Sequence, residues 1–169
     1  MTVRGKTFLV GVEDSDSSVR SVSYVADMIG AREDCQIVLL HVLPPIPPEF
    51  LEFGGAEDPA TEQKLDETVK LDQARWIEEA KKAAEPIEEN AKMILYRIGV
   101  LPSRVNVTFS QTIHRPDIVR ELLETAQKQH CGTIVVGRES YPSFQEMFHH
   151  HIGEELVKKG QGVAVWVIA

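Results

Sequence analysis

The sequence predicts an α/β protein: an open parallel sheet of five strands with helices packed on both faces. Two observations predict it. Five short runs rich in Val, Ile, Leu or Phe punctuate the chain at Thr7–Val12, Gln36–Leu43, Val105–Ser110, Thr133–Gly137 and Val163–Ile168, each of strand length. Between them, apolar residues recur at helical spacing, and strand–helix alternation repeated in this way builds a parallel sheet. A length of 169 residues is that of one domain able to bury a core. A composition 43% hydrophobic and 26% charged is that of a folded chain rather than a disordered one.

The first run, Phe8 to Val12, is nearly all apolar, as interior parallel strands are. After it, Val19, Val22, Val25, Ala26 and Ile29 fall on one helical face, with Asp16 or Ser17 placed to cap the start and Gly30 to end it. The second run repeats the interior pattern at Ile37 to Leu40. Pro44, Pro45, Pro47, Pro48 and Gly54-Gly55 then mark an irregular loop over about residues 44–60, of a length often tied to function. From Thr61 to Ile98 a stripe through Trp76, Ile77, Ala80, Ala84, Ile87, Ala91, Ile94, Leu95 and Ile98 spells one long helix. Straight, it would reach roughly 55 Å, so a kink or break is expected at Pro86, with the first turns projecting past the sheet.

Val105-Asn106-Val107-Thr108-Phe109 alternates apolar and polar, as an edge strand with one wet face does. Ile118, Val119, Leu122, Leu123 and Ala126 form the next helical stripe, with Pro116 suited to its first turn. A last helix near His151 to Lys159 carries Ile152, Leu156 and Val157 and stops at Gly160. The closing run, Val163 to Ala169, is all apolar although a final strand sits at a sheet edge. An exposed apolar edge invites pairing, and a symmetric partner subunit is its simplest cover. Val163, Val165, Trp166 and Val167 are the expected dimer contacts.

Charge and hydropathy exclude some functions. A net charge of −8 repels phosphate before any local patch can act, which argues against nucleic-acid binding. The longest apolar run, seven residues at Val163–Ala169, falls far short of the roughly 20 that a membrane span needs. The opening Met1-Thr2-Val3-Arg4-Gly5-Lys6 lacks a secretory cleavage pattern, so cytoplasmic residence is expected.

Several stretches together resemble the universal stress protein family. They are Phe8-Leu9-Val10-Gly11-Val12-Glu13-Asp14-Ser15 at the first strand and turn, Val38-Leu39-Leu40-His41-Val42 in the second strand, Pro116-Asp117-Ile118-Val119 through Gly132-Thr133-Ile134-Val135-Val136-Gly137, and the closing Val-Ala-Val-Trp-Val-Ile. The likeness spans nearly the whole chain as a single domain and is weakest over Pro44 to about Thr68. It implies a Rossmann-like, adenine nucleotide α-hydrolase-like fold with strand order 3-2-1-4-5, and a homodimer paired through the fifth strand. In that order Cys35 and Cys131 start strands two spacings apart, roughly 9–10 Å, too far for a disulfide.

The resemblance also implies where a nucleotide would sit: Val12, Glu13, Ser15, Val42, Val136, Gly137, Ser140, His150 and His151. Family members that bind ATP carry Gly-x-x-Gly, nine residues, then Gly with Ser or Thr, because glycines let backbone N–H groups approach phosphate oxygens. Here Gly137 keeps the first position, Ser140 replaces the second glycine, and His150-His151 stands where Gly-Ser is expected. Gly153 comes three residues late. Glu13 replaces the usual Asp, Asp14 adds a carboxylate where the family has Gly, and His114 stands where it often has Gly. The phosphate cradle is altered at several points, although protonated His150 or His151 could offset the charge of Asp14.

Other readings are blander. His149-His150-His151 cannot ligate one ion from a regular helix, since successive residues point about 100° apart. No metal is expected from them. His41, at a strand end, reads as structural more than catalytic, and Glu13-Asp14-Ser15-Asp16-Ser17-Ser18 as a capped, solvated turn. Trp76 and Trp166 read as packing residues. With no paired nucleophile and base, the expectation is a non-catalytic stress-response dimer with an altered nucleotide cleft and an unidentified protein partner. The alternative is an ATP-binding switch with a phosphate loop rebuilt around Ser140, His150 and His151. No cofactor is required; ATP or another adenine nucleotide, with Mg if bound, is the candidate.

Overall fold

The computed structural model describes residues 6–30, 32–51, 58–110, 117–139 and 152–169. Among these residues five strands, β1 (Thr7–Val12), β2 (Gln36–His41), β3 (Val105–Phe109), β4 (Thr133–Gly137) and β5 (Ala164–Ile168), alternate with four α-helices, α1 (Asp16–Ile29), α2 (Pro59–Arg97), α3 (Ile118–Lys128) and α4 (Ile152–Lys159). The sheet order is β3-β2-β1-β4-β5, and every neighbouring pair is parallel. The expected architecture is therefore observed, with strand ends trimmed by one or two residues at Leu43, Ser110 and Val163.

Side chains of a strand point alternately to opposite faces, and this divides the core in two. Leu9, Val38, Leu40, Ile134 and Val136 pack under α3 and α4 against Leu122 and Leu156. Val10, Val12, Ile37, Leu39 and Val135 pack under α1 and α2 against Val22, Val25, Ala91 and Leu95. Each fully buried Leu or Val among them contributes about 1.5–3 kcal/mol by leaving water. β3 is an edge strand with no fully buried residue. β5 is the other edge, and its Ala164 and Val167 stay exposed. Both cysteines are buried free thiols, and burial pushes that of Cys131 up to about 11.

The structure refines three local expectations, and the α1 cap is the one it corrects outright. The α1 cap is Ser15, whose hydroxyl accepts from the Ser18 N–H at 3.1 Å, and not Asp16 or Ser17; Asp16 is the first helical residue. Gly30 does end α1, but with φ −55° it is right-handed. Its missing side chain serves close approach instead, since a Cβ there would lie 2.6 Å from Ile98 Cγ2 and 2.5 Å from the Ala26 carbonyl oxygen. The third concerns α2: of the kink or break expected at Pro86, the break is absent, since one helix runs through it. Pro86 is exposed, so the carbonyl that loses its helical donor can turn to water. The expected projection is present: the first fully buried residue of α2 is Ala84, and before it the helix is tied to the proline loop, where Gln73 Nε2 donates to the Phe50 carbonyl at 2.7 Å. Pro116, expected in the first turn of α3, lies outside the described residues, and Asp117 supplies that helix's cap.

Candidate functional site

The carboxyl ends of β1, β2 and β4 lie side by side, because β1 pairs with β2 from Thr7↔Gln36 to Val12↔His41 and with β4 through Val10↔Val135. Val12, Val42, Val136 and Gly137 are all buried there. Outside carboxyl strand ends is where open α/β sheets hold ligands.

From Val12 the chain turns into α1 through a closed web of hydrogen bonds. The Ser15 hydroxyl donates to Glu13 Oε1 at 2.7 Å and accepts from the Ser18 N–H. The Ser18 hydroxyl accepts from the Glu13 N–H at 3.0 Å, and the Ser15 N–H donates to the Glu13 carbonyl. Glu13 is thereby a positioned carboxylate at the mouth of the site, while Asp14 and Asp16 beside it are exposed. The turn packs on the first residues after β4, where the Glu139 N–H donates to Ser17 Oγ at 3.2 Å.

His41 spans the β1–β2 seam. Its Nδ1 lies 3.0 Å from the Val12 carbonyl and donates to it as the neutral ring. Burial pulls its pKa below the ordinary 6.5, against the opposing effect of that hydrogen bond. Its ring meets Phe109 edge-on with centroids 6.3 Å apart. These contacts are those of a strand-end clamp and support the structural reading.

A cavity of about 580 Å³ opens beside the turn. Val12, Glu13 and Ser15 line it, as do Asp14, Asp16 and Ser18; Val42, Val136 and Gly137 are not among its described walls. Its far wall is α2, through Ala83, Pro86, Ile87, Asn90 and Ile94, which sequence reasoning missed. The exposed Pro86 and Asn90 in an otherwise apolar stripe were the only local signals. Ser140, His150 and His151, with His114 and His149, lie outside the described residues. Gly153 is described, and it is no phosphate cradle: it sits in α4, where a Cβ would approach Val167 Cγ2 to 2.6 Å. Among the described residues no cluster of His, Cys, Asp and Glu could hold a metal ion, and no helix is long and apolar enough to cross a membrane.

The model of the universal stress protein family matches residues 5–167. The chain belongs to that family. No curated protein matches it in sequence. Among solved structures, the universal stress protein in complex with cAMP superposes with a TM-score of 0.58 at 14% identity, over 96% of this chain and 95% of that one. MJ0577 superposes with a TM-score of 0.60 at 19% identity, over 98% and 96%. The universal stress protein from Archaeoglobus fulgidus in complex with dAMP gives 0.58 at 15% identity, over 96% and 97%. At these identities the likeness is one of fold, and this universal stress protein shares the five-stranded parallel α/β arrangement of its relatives.

Proposed function

We propose that this universal stress protein is a non-catalytic stress-response dimer of the cytoplasm, with a nucleotide cleft altered so that it no longer holds ATP tightly. The carrying observation is the turn after β1, where Glu13 is bound up by Ser15 and followed by the exposed carboxylates of Asp14 and Asp16. A like-charge pair 4–8 Å apart costs about 2–4 kcal/mol at an effective dielectric near 20, and a triphosphate meets that cost with Ser140 and His150 standing where glycines would admit it. Calorimetric titration with Mg·ATP is expected to give no saturable heat at micromolar concentration. One ATP bound per chain would overturn this reading in favour of a switch with a phosphate loop rebuilt around Ser140, His150 and His151.

One observation favours a second reading. The base side of the cleft keeps its buried Val12 and Val42 and the clamp from His41 to Val12, and two relatives of the same fold were solved with cAMP and with dAMP. An adenine nucleotide with a single phosphate brings less charge to Asp14. On this reading, AMP or cAMP gives saturable binding in the same calorimeter while ATP does not. Prolonged incubation with ATP is expected to yield no product.

A further inference from the structure

The positions that α2 buries are Ala84, Glu88, Ala91 and Leu95. Three are apolar, and the fourth is an ionisable acid only 8% exposed. Glu88 Oε1 has no surface open to solvent and no hydrogen-bond partner among the described residues. An oxygen so sealed takes no ligand, but its carboxyl group can still gain or lose a proton.

The charges that act on Glu88 come from its own helix. Burial is the main influence and raises its pKa above the ordinary 4.5; Lys92, one turn on, opposes this, and Glu85 and Glu89 add to it. Lys92 is itself engaged with Glu89 at 2.8 Å. Packed most closely on α2 are α1, β1, β2, β3 and the turn Pro48–Phe50. β1 and β3 carry no ionisable side chain, and β2 brings only His41, whose pKa burial lowers. α1 brings Asp16, Arg20, Tyr24 and Asp27 and the turn brings Glu49, all of them exposed. In the groove that Glu88 lines beside Phe109, Lys81 pairs with Glu78 at 3.2 Å, while Arg75, Glu79 and Lys82 are exposed. A carboxylate at Glu88 would therefore lack both water and a donor, so its place in the fold favours the neutral acid.

The same stretch of α2 walls the cavity beside Glu13: Ile87 precedes Glu88, and Asn90 and Ala91 follow it. Ala91 also shares a packed core with Val22 and Val25 of α1. We propose that Glu88 is a proton-operated latch on α2. Protonated, it lets the helix seat fully. When its proton leaves to water, the carboxylate turns out into the groove beside Phe109, and the turn from Ile87 to Ala91 shifts against α1, reshaping the cavity. The latch works whether or not the cleft holds a nucleotide.

The test is a pH titration of the full chain by NMR, from about pH 4 to 8, following the Glu88 carboxyl carbon and the methyl groups of Val19 and Val22 on the α1 wall. The Glu88 midpoint is expected above 4.5, and the α1 methyls should move with that same midpoint. Glu88→Gln keeps the shape and cannot ionise, so in it the methyls should stay still. In urea unfolding the wild type should lose stability relative to this variant as pH rises through the midpoint, because the folded state holds the proton more tightly than the unfolded one. A midpoint at or below 4.5 in the wild type overturns the proposal without recourse to any variant. So does a raised midpoint that the α1 methyls do not follow, which would leave a buried acid that moves nothing. Methyl shifts that persist in Glu88→Gln would assign the movement to another group, such as His41, and overturn it equally.

Discussion

His41 and His130 show how one residue type serves two local ends. His41 is held neutral by burial, its folded pKa below the ordinary 6.5. The unfolded chain therefore takes up the proton first as pH falls. The stability His41 contributes is present above pH 6.5 and is lost on acidification through the folded value. Urea unfolding of wild type and His41→Gln between pH 7.5 and 5 should show the wild type losing more stability on the acid side; parallel profiles would refute it. His130 follows the end of α3 with φ +54°, a left-handed conformation that glycine adopts freely. The Cys131 N–H reaches back to the Ala126 carbonyl at 2.8 Å, closing the helix end. His130→Gly is expected to raise stability by about 0.5–1 kcal/mol, measured by thermal unfolding.

At the scale of elements, Arg104 is the joint that sequence reasoning did not find. It is 5% exposed. Its guanidinium donates to the Cys35 carbonyl at 2.7 Å and to the last carbonyls of α1, Gly30 at 3.3 Å and Ile29 at 3.4 Å. A cation at a helix C-terminus meets the negative end of its dipole, and one side chain thereby ties the start of β3 to α1 and β2. Arg104→Met should cost about 2–4 kcal/mol in chemical denaturation, and a loss below 1 kcal/mol would show the carbonyls finding other donors. Nothing in Pro102-Ser103-Arg104 marks that role, because its partners lie some 70 residues away. The strands were legible for the opposite reason: buried on both faces, β1, β2 and β4 must be apolar throughout, and that shows in the residues themselves. Pro86 marks a kink or break in the sequence because proline removes one helical hydrogen bond, yet α2 continues through it as one helix. Only the path of α2 over the sheet makes Ala83, Pro86 and Asn90 into walls of a cavity.

The molecule as a whole leaves its two sheet edges differently finished. β3 carries polar Asn106 and Thr108, whereas β5 offers Val167 at 44% exposure. On the α1 side Trp166 packs tilted against Phe8 at 5.3 Å and meets Tyr24 edge-on at 5.9 Å, so much of its indole is spent within the chain. Unpaired strand edges of this kind recruit a partner unless charge blocks them. If the proposed dimer pairs through β5, Val167→Lys should give a monomer in light scattering where the wild type is dimeric, with circular dichroism unchanged; a monomeric wild type, or a variant that stays dimeric, would overturn pairing through β5. The phosphate side of the site was illegible in the sequence for a physical reason. A phosphate cradle is defined by backbone N–H directions, and residue identities at Ser140 or His150 report how closely a ligand can approach, not where those N–H groups point.

Strands of five or six residues span about 20 Å, whereas the 39 residues of α2 run about 58 Å. The stretch before Ala84 is therefore a lever nearly twice as long as the sheet is deep. A tilt of 10° at its base would carry the tip at Pro59 through about 7 Å. A ligand that tilted α2 on entering the space between α1 and α2 would therefore displace that distant tip most.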